Sequence, residues 1–217
     1  MGWKNWFAGR KGPRIEADSI WLDNGARLAG LAEKARTLSV DGRVLALAHF
    51  PKMLDAVEEA LGTRLNVARA DSDGDVASWL AAPEPGIVGL ALVDQLPAHG
   101  LDLVGRADGR VSFLVAERHP LRAQDDRVER AAAALPYATT VQFVLSFDDP
   151  LLKRFVGDRV KDLLAHLGVS ADEEMSHPVI SAAIEKAQKK IAAESLEDVR
   201  ADSAEDWLDT IGPIQPR

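Results

Sequence analysis

The sequence has no cysteine and a single tyrosine, and aromatic residues make up only 6% of its 217 positions. Without cysteine the chain can hold no disulfide framework, thiolate nucleophile or cysteine-based zinc site, which suits a reducing compartment. Long apolar runs are missing too: nothing approaches the roughly 18 apolar residues of a membrane-spanning helix. Met1 to Arg14 has neither the apolar stretch nor the small-residue cleavage site of a secretory leader, so a cytoplasmic location is expected. The five histidines (His49, His99, His119, His166 and His177) form no HExxH pair, and no metal is expected. "DSDGD", Asp71 to Asp75, puts Val76 and Ala82 where a calcium loop needs glycine and glutamate, so it reads as a turn that caps a helix. Neither a GxSxG elbow nor a Walker sequence GxxxxGK[ST] occurs.

What is present is 47% hydrophobic and 28% charged, in a length that buries one good core with a helical appendage. The net charge of −8 is unevenly placed. Lys4, Arg10, Lys11 and Arg14 make the first fourteen residues basic, and the remainder carries about −12. An acidic body is a poor match for a phosphate backbone, so nucleic-acid binding is not expected. In the basic head, Trp3, Trp6 and Phe7 lie at helical spacing beside Lys4, Arg10 and Lys11, the makeup of a peripheral membrane or partner contact. The alternative is an arm that packs its aromatics onto its own domain. At the other end, Glu194 to Asp209 holds seven acids against Arg200, with Trp207 and Leu208 as anchors. It reads either as a solvated end or as a match for a basic surface.

Between these ends, strands alternate with helices. "DSIWLD" is a short extended segment, after which Asp23 or Asn24 caps a helix to about Arg36 with Leu28, Leu31, Ala32 and Ala35 on one face. "RVLALAHF" and "GIVGLALV" are continuous apolar runs of the kind buried on both faces of a sheet, and Pro51 opens a helix that ends near Gly62. "LNVAR", "RVSFLVAE" and "TTVQFVLSF" are further strands, and "DVASWLAA" is a short helix. The expected fold is α/β, a doubly wound parallel sheet, with a change to helices only after Asp149. Three segments are expected: a basic aromatic tail over 1–14, the sheet domain over 15–147 and a helical extension over 148–217.

"FVLSFDDPLLKRFVGDRVKDLLAHLG", followed by "SHPVISAAIEKAQKKI", resembles the SecA preprotein translocase ATPase family where its second RecA-like motor domain runs into its helical scaffold. Phe143, Leu145, Ser146, Asp149, Leu152, Arg154, Phe155, Asp158, Arg159, His177, Ala183, Ile184, Ala187 and Gln188 follow the family pattern in order. "ERHPLR" resembles its E-R-H-E-S-R, and the stretch from Asp18 to Ala48 has the spacing of the domain's start, with Arg27 in place of a lysine. The head resembles the family's amphipathic N-terminal tail. The resemblance therefore implies a RecA-like fold, of the superfamily 2 helicase C-terminal type, and a link to protein export.

It also implies what is gone. Between E-R-H and F-x-L-S the family carries the arginine-finger motif Q-L-R-G-R-A-G-R-Q-G-D, and this sequence has the same length there. Glu129, Ala131 and Ala134 stand where its three arginines would be, with Arg127 for the glutamine and Arg130 for the first glycine. Losing such a finger costs about 10³ to 10⁵ in rate. The preceding motif, opposite Ala91 to Val104, keeps only Gly100 and Asp102. A degenerate nucleotide site near Gly100, Asp102, Arg122 and Arg130 is implied, with no catalytic residue and no required cofactor; residual ATP or ADP binding without chemistry is left open. The blank alanine helix is either a new docking surface or filler by the best helix former. The expected role is a non-catalytic accessory or regulatory protein docking on SecA, the translocon or the inner face of the cell membrane. Two alternatives are half of a split ATPase completed in trans and a helicase-derived nucleic-acid-binding module.

Overall fold

The computed structural model describes residues 12–81, 86–97, 109–166, 168–194 and 198–212. Its strands, in chain order, are β1 (Arg14–Ile15), β2 (Ser19–Trp21), β3 (Arg43–Ala48), β4 (Asn66–Arg69), β5 (Ile87–Leu92), β6 (Arg110–Val115) and β7 (Ala138–Ser146). The helices are α1 (Asn24–Leu38), α2 (Pro51–Gly62), α3 (Asp73–Ala81), α4 (Arg122–Ala134), α5 (Pro150–Phe155), α6 (Asp158–His166), α7 (Pro178–Glu194) and α8 (Ala204–Thr210). The sheet runs β1-β7-β6-β3-β5-β4, with β2 also beside β7, and every strand pairing is parallel.

Parallel strands require crossovers, and the crossovers cover both faces. Leu45 and Leu47 point to the face shared by Phe113, Val115, Phe143 and Leu145. Val44, Ala46 and Ala48 point to the other, with Val88, Leu90, Leu114 and Val144. α1 and α2 close this second face with Leu31, Ala35, Leu54, Val57 and Leu61. α3, α4, α5, α7 and α8 close the first, so the helical stretch after Asp149 is packed into the same core as the sheet.

Local chemistry sets the ends of these helices. Asp23 caps α1 by accepting from the Ala26 N–H at 2.8 Å. In "DSDGD", Ser72 and Asp75 cap the start of α3 reciprocally: the Asp75 N–H donates to Ser72 Oγ, and Ser72 Oγ donates to Asp75 Oδ2. Gly30 of α1 lies under the Trp21 ring, where a Cβ would overlap it.

Two details differ from the sequence pattern. Arg14, counted in the basic head, belongs to β1 and sits opposite Thr140. On α1 the fully buried positions are Arg27, Leu31, Ala32 and Ala35, while Leu28 is half-buried. Period alone favours the leucine; the guanidinium is inside because it has partners there.

Candidate functional site

β3 and β6 are neighbours, yet the chain leaves β3 for α2 on one face and leaves β6 for α4 on the other. Connections that diverge in this way open a crevice at the carboxyl edge of a parallel sheet, the usual place for a ligand. Here the crevice holds a buried knot of polar side chains.

At its centre is Asp125 of α4, with 0% exposure. Its Oδ1 accepts from the His119 N–H at 3.0 Å and lies 3.0 Å from His49 Nε2. Its Oδ2 accepts from Gln188 Nε2 of α7 at 2.7 Å and from Arg118 Nη1 at 3.2 Å. Arg118 also donates to Asp18 Oδ1 at 2.5 Å and lies over the Phe143 ring, 3.5 Å from its centroid. Asp18 in turn accepts from Ser181 of α7. Burial opposes ionisation of Asp125, but His49, Arg118 and the His119 N–H outweigh it and hold the carboxyl at about 2.

A second carboxyl, Glu117, reaches back across the sheet edge. Its Oε1 accepts from the backbone N–H groups of His49 and Phe50 at 3.1 and 3.0 Å. Phe50 is the N-cap residue of α2 and has no capping side chain of its own, so Glu117 satisfies this helix end from 67 residues away. Burial and the nearby negative Asp149 still push Glu117 up to about 8, against the pull of Arg27 and the two N–H groups. Asp149 is raised as well, because burial outweighs its bond to Arg27. That bond is short, 2.5 Å from Arg27 Nη1 to Asp149 Oδ1, and the same nitrogen donates to the Ala116 carbonyl.

His119 completes the knot. Its Nδ1 accepts from the Leu121 N–H at 2.9 Å, its ring stacks on Phe50, and Trp207 of α8 stands edge-on to it. Burial and the neighbouring His49 depress its pKa to about 3. The tautomer that accepts from Leu121 is the neutral one, so geometry agrees with the direction.

The residues that carry the family pattern therefore meet as structure. Glu117, Arg118, His119, Ser146, Asp149 and Gln188 join α1, the ends of β3, β6 and β7, and α7. Each carboxylate of the knot has protein partners, while Arg27 Nε, Arg118 Nε and Gln188 Oε1 are buried without one. The arrangement joins the ends of β3, β6 and β7 to α1, α4 and α7.

Of the residues expected to mark a degenerate nucleotide site, Arg122 and Arg130 lie on α4. Arg127 Nη2 donates to the carbonyls of Asp94 and Leu96, so the helix still meets the turn after β5. Arg122 is held by Asp126 and Glu129, and Arg130 is exposed, with Nη2 3.5 Å from the Ala123 carbonyl. Ala131 is half-buried and Ala134 exposed. Gly100 and Asp102 lie outside the described residues, as do Trp3, Lys4, Trp6, Phe7, Arg10 and Lys11 of the head. Among the described residues no cluster of three or more ligating side chains could hold a metal ion, and no helix is long and apolar enough to cross a membrane.

Asp18, His49 and Asp125 were not singled out by their sequence context. Asp125 sits in a run of charges that looks solvated, and only its registration against a motif-bearing helix places it inside.

No family model matches the chain. Over 86 residues, 40% of its length, it is 37% identical to the protein translocase subunit SecA of Sorangium cellulosum (strain So ce56). Over 94 residues, 43% of its length, it is 33% identical to the same subunit of Dechloromonas aromatica (strain RCB). These matches span only 8% and 10% of those relatives. Among solved structures, the C-terminal part of the Fun30 ATPase domain aligns with 77% of this chain and 54% of its own, at 14% identity and a TM-score of 0.43. The C-terminal domain of a possible DNA helicase from Lactobacillus plantarum WCFS1 aligns with 63% and 76%, at 12% identity and a TM-score of 0.40. The chain is thus an α/β domain, a parallel sheet covered on both faces, that is similar to part of SecA over two-fifths of its own length.

Proposed function

We propose that this protein is a non-catalytic accessory or regulatory component linked to protein export, docking on a complete SecA, on the translocon or on the inner face of the cell membrane. One observation carries the reading: on α4, the positions that correspond to two arginine fingers are Ala131 and Ala134, in a helix that is otherwise well formed and packed. A finger works by placing a guanidinium on a transferring phosphate, and a methyl group supplies neither charge nor hydrogen bond. The family-like residues nearby are engaged in the joint.

The head supplies the membrane or partner contact in this proposal, through Trp3, Lys4, Trp6, Phe7, Arg10 and Lys11. The test is crosslinked affinity purification of the tagged chain from its own cells, beside a version lacking Met1 to Arg14. Recovery of full-length SecA or a translocon subunit supports the proposal, and its loss with the head assigns the contact. Recovery of nucleic acid, or ATP turnover on adding a purified SecA fragment to this chain, overturns it.

A further inference from the structure

The sheet face that α1 and α2 close is not covered evenly. Over the amino-terminal halves of β6 and β7 it carries a cleft of about 550 Å³, floored by Ser112, Ala138 and Thr140 and walled by Arg14 of β1 and Leu38 of α1. Among the described residues that line this cleft, only Leu38 belongs to a helix. A parallel sheet is normally covered on both faces, so this corner lacks the layer that the rest of the sheet has.

The polar groups around the cleft already have partners within the chain. Thr140 Oγ1 donates to Ser112 Oγ at 3.1 Å, and Gln142 Nε2 donates to Ser19 Oγ at 2.8 Å and to the Ala17 carbonyl at 3.2 Å. Arg14 Nε pairs with Glu16 at 2.8 Å. What is left without a partner is apolar: the side chains of Ala138 and Leu38 are both exposed. Arg110, exposed beside Ala138, adds a guanidinium of the kind that lies over an aromatic face. The cleft therefore asks for apolar and aromatic surface and has little use for a polar ligand.

Such surface is tethered at its edge. The described chain starts at Gly12, which itself lines the cleft, and residues 1–11 include Trp3, Trp6 and Phe7 and no acid. At full extension Phe7 reaches roughly 17 Å from Gly12 and Trp6 about 20 Å, whereas Ala138 to Gln142 spans about 13 Å of strand. We infer that this cleft is the seat of the head's own aromatic side. Trp3, Trp6 and Phe7 lie over β6 and β7 beneath Arg110, and Lys4, Arg10 and Lys11 are left outside for the contact proposed above. A short tether keeps the rings at high effective concentration over the cleft. The inference does not rest on that outside contact being with the export machinery.

The chain has no cysteine, so Ala8→Cys with Ala138→Cys introduces a single pair of thiols, one beside Phe7 and one at an exposed position of the floor. The tether alone brings these thiols near each other, so the comparison is with the same pair in a chain that also carries Trp3→Ala, Trp6→Ala and Phe7→Ala. With the rings present, the disulfide within one chain is expected to form at least about fivefold faster, at a rate that dilution leaves unchanged. Equal rates in the two chains overturn the proposal, as do disulfide-linked dimers that disappear on dilution, which would make a second copy the occupant. Trypsin cleavage after Arg10 and Lys11 gives an independent reading. Ala138→Trp fills the cleft from an exposed position and should speed that cleavage several-fold over the wild type; an unchanged rate overturns the seat. Both measurements use the purified chain without partner or lipid. A head that is needed for capture of SecA but shows no ring-dependent crosslinking defeats this inference alone, and ring-dependent crosslinking without capture defeats the proposed function alone.

Discussion

The two ends of α4 were put to different uses. Its first turns carry Asp125, wholly buried, with partners from the loops after β3 and β6 and from α7. Its last turns are Ala131 to Ala134, with Ala133 and Ala134 exposed. The first stretch carries a charged group in the interior and the second carries only methyl groups. The difference follows from what each residue holds. A buried acid with four partners cannot be removed without stranding all of them, whereas an exposed finger at a phosphate site costs the fold nothing when it goes.

The largest effect should come from the buried end. Asp125→Ala leaves Arg118, His49, Gln188 and the His119 N–H facing an empty place, and should destabilise the chain by about 3–5 kcal/mol in chemical denaturation. A loss below about 1 kcal/mol would mean that the knot is as dispensable as the alanines.

The next effect is one of pH. Glu117 has a folded value of about 8, above its ordinary one, so the folded state holds a proton that the unfolded state has released. Stability from this group is full below pH 4.5 and is lost as pH rises toward 8, by up to about 1.4 kcal/mol per unit. Because Asp149 is raised too and Arg27 lies between them, the slope belongs to the pair. Glu117→Gln should flatten it, as read by denaturation midpoints at pH 5, 6.5 and 8.

His119 acts with the opposite slope. Its folded value of about 3 lies below its ordinary 6.5, so the unfolded state binds the extra proton, and stability is lost as pH falls from 6.5 toward 3. His119→Asn should lower stability at neutral pH by roughly 1–3 kcal/mol, with Trp207 and Phe50 losing their neighbour, while removing part of the acid slope.

The smallest effect is expected at the blank end. Ala134→Arg should change stability by less than about 0.5 kcal/mol, since the position is exposed. Ala131→Arg, half-buried, should cost about 1 kcal/mol. If the double variant hydrolyses ATP when a purified SecA fragment is added, the contrast between the two ends is one of chemistry waiting for a partner, and the non-catalytic reading fails.

Much of this molecule was open to inspection in the chain itself. The runs "RVLALA" and "IVGLAL" read as strands covered on both faces, because their apolar residues do not alternate; they are β3 and β5, neighbours inside the sheet. Pro51, Asp23 and Ser72 start helices for local reasons, and local reasons are legible in sequence. The alanine run of α4 was visible for the same cause: it is a matter of residue identity in a helix.

What tertiary structure alone decided is which charges are inside. Arg27, Asp125 and Glu117 sit among residues that look solvated, and each is buried with at least one partner from an element 26 to 122 residues away. The cost of burying a charge is set by the partners that the fold brings to it, most of them on other elements. So the strands, the caps and the blanked helix were determined by sequence, whereas the knot that joins them, and the acidic segment laid across it, exist only once the chain is folded.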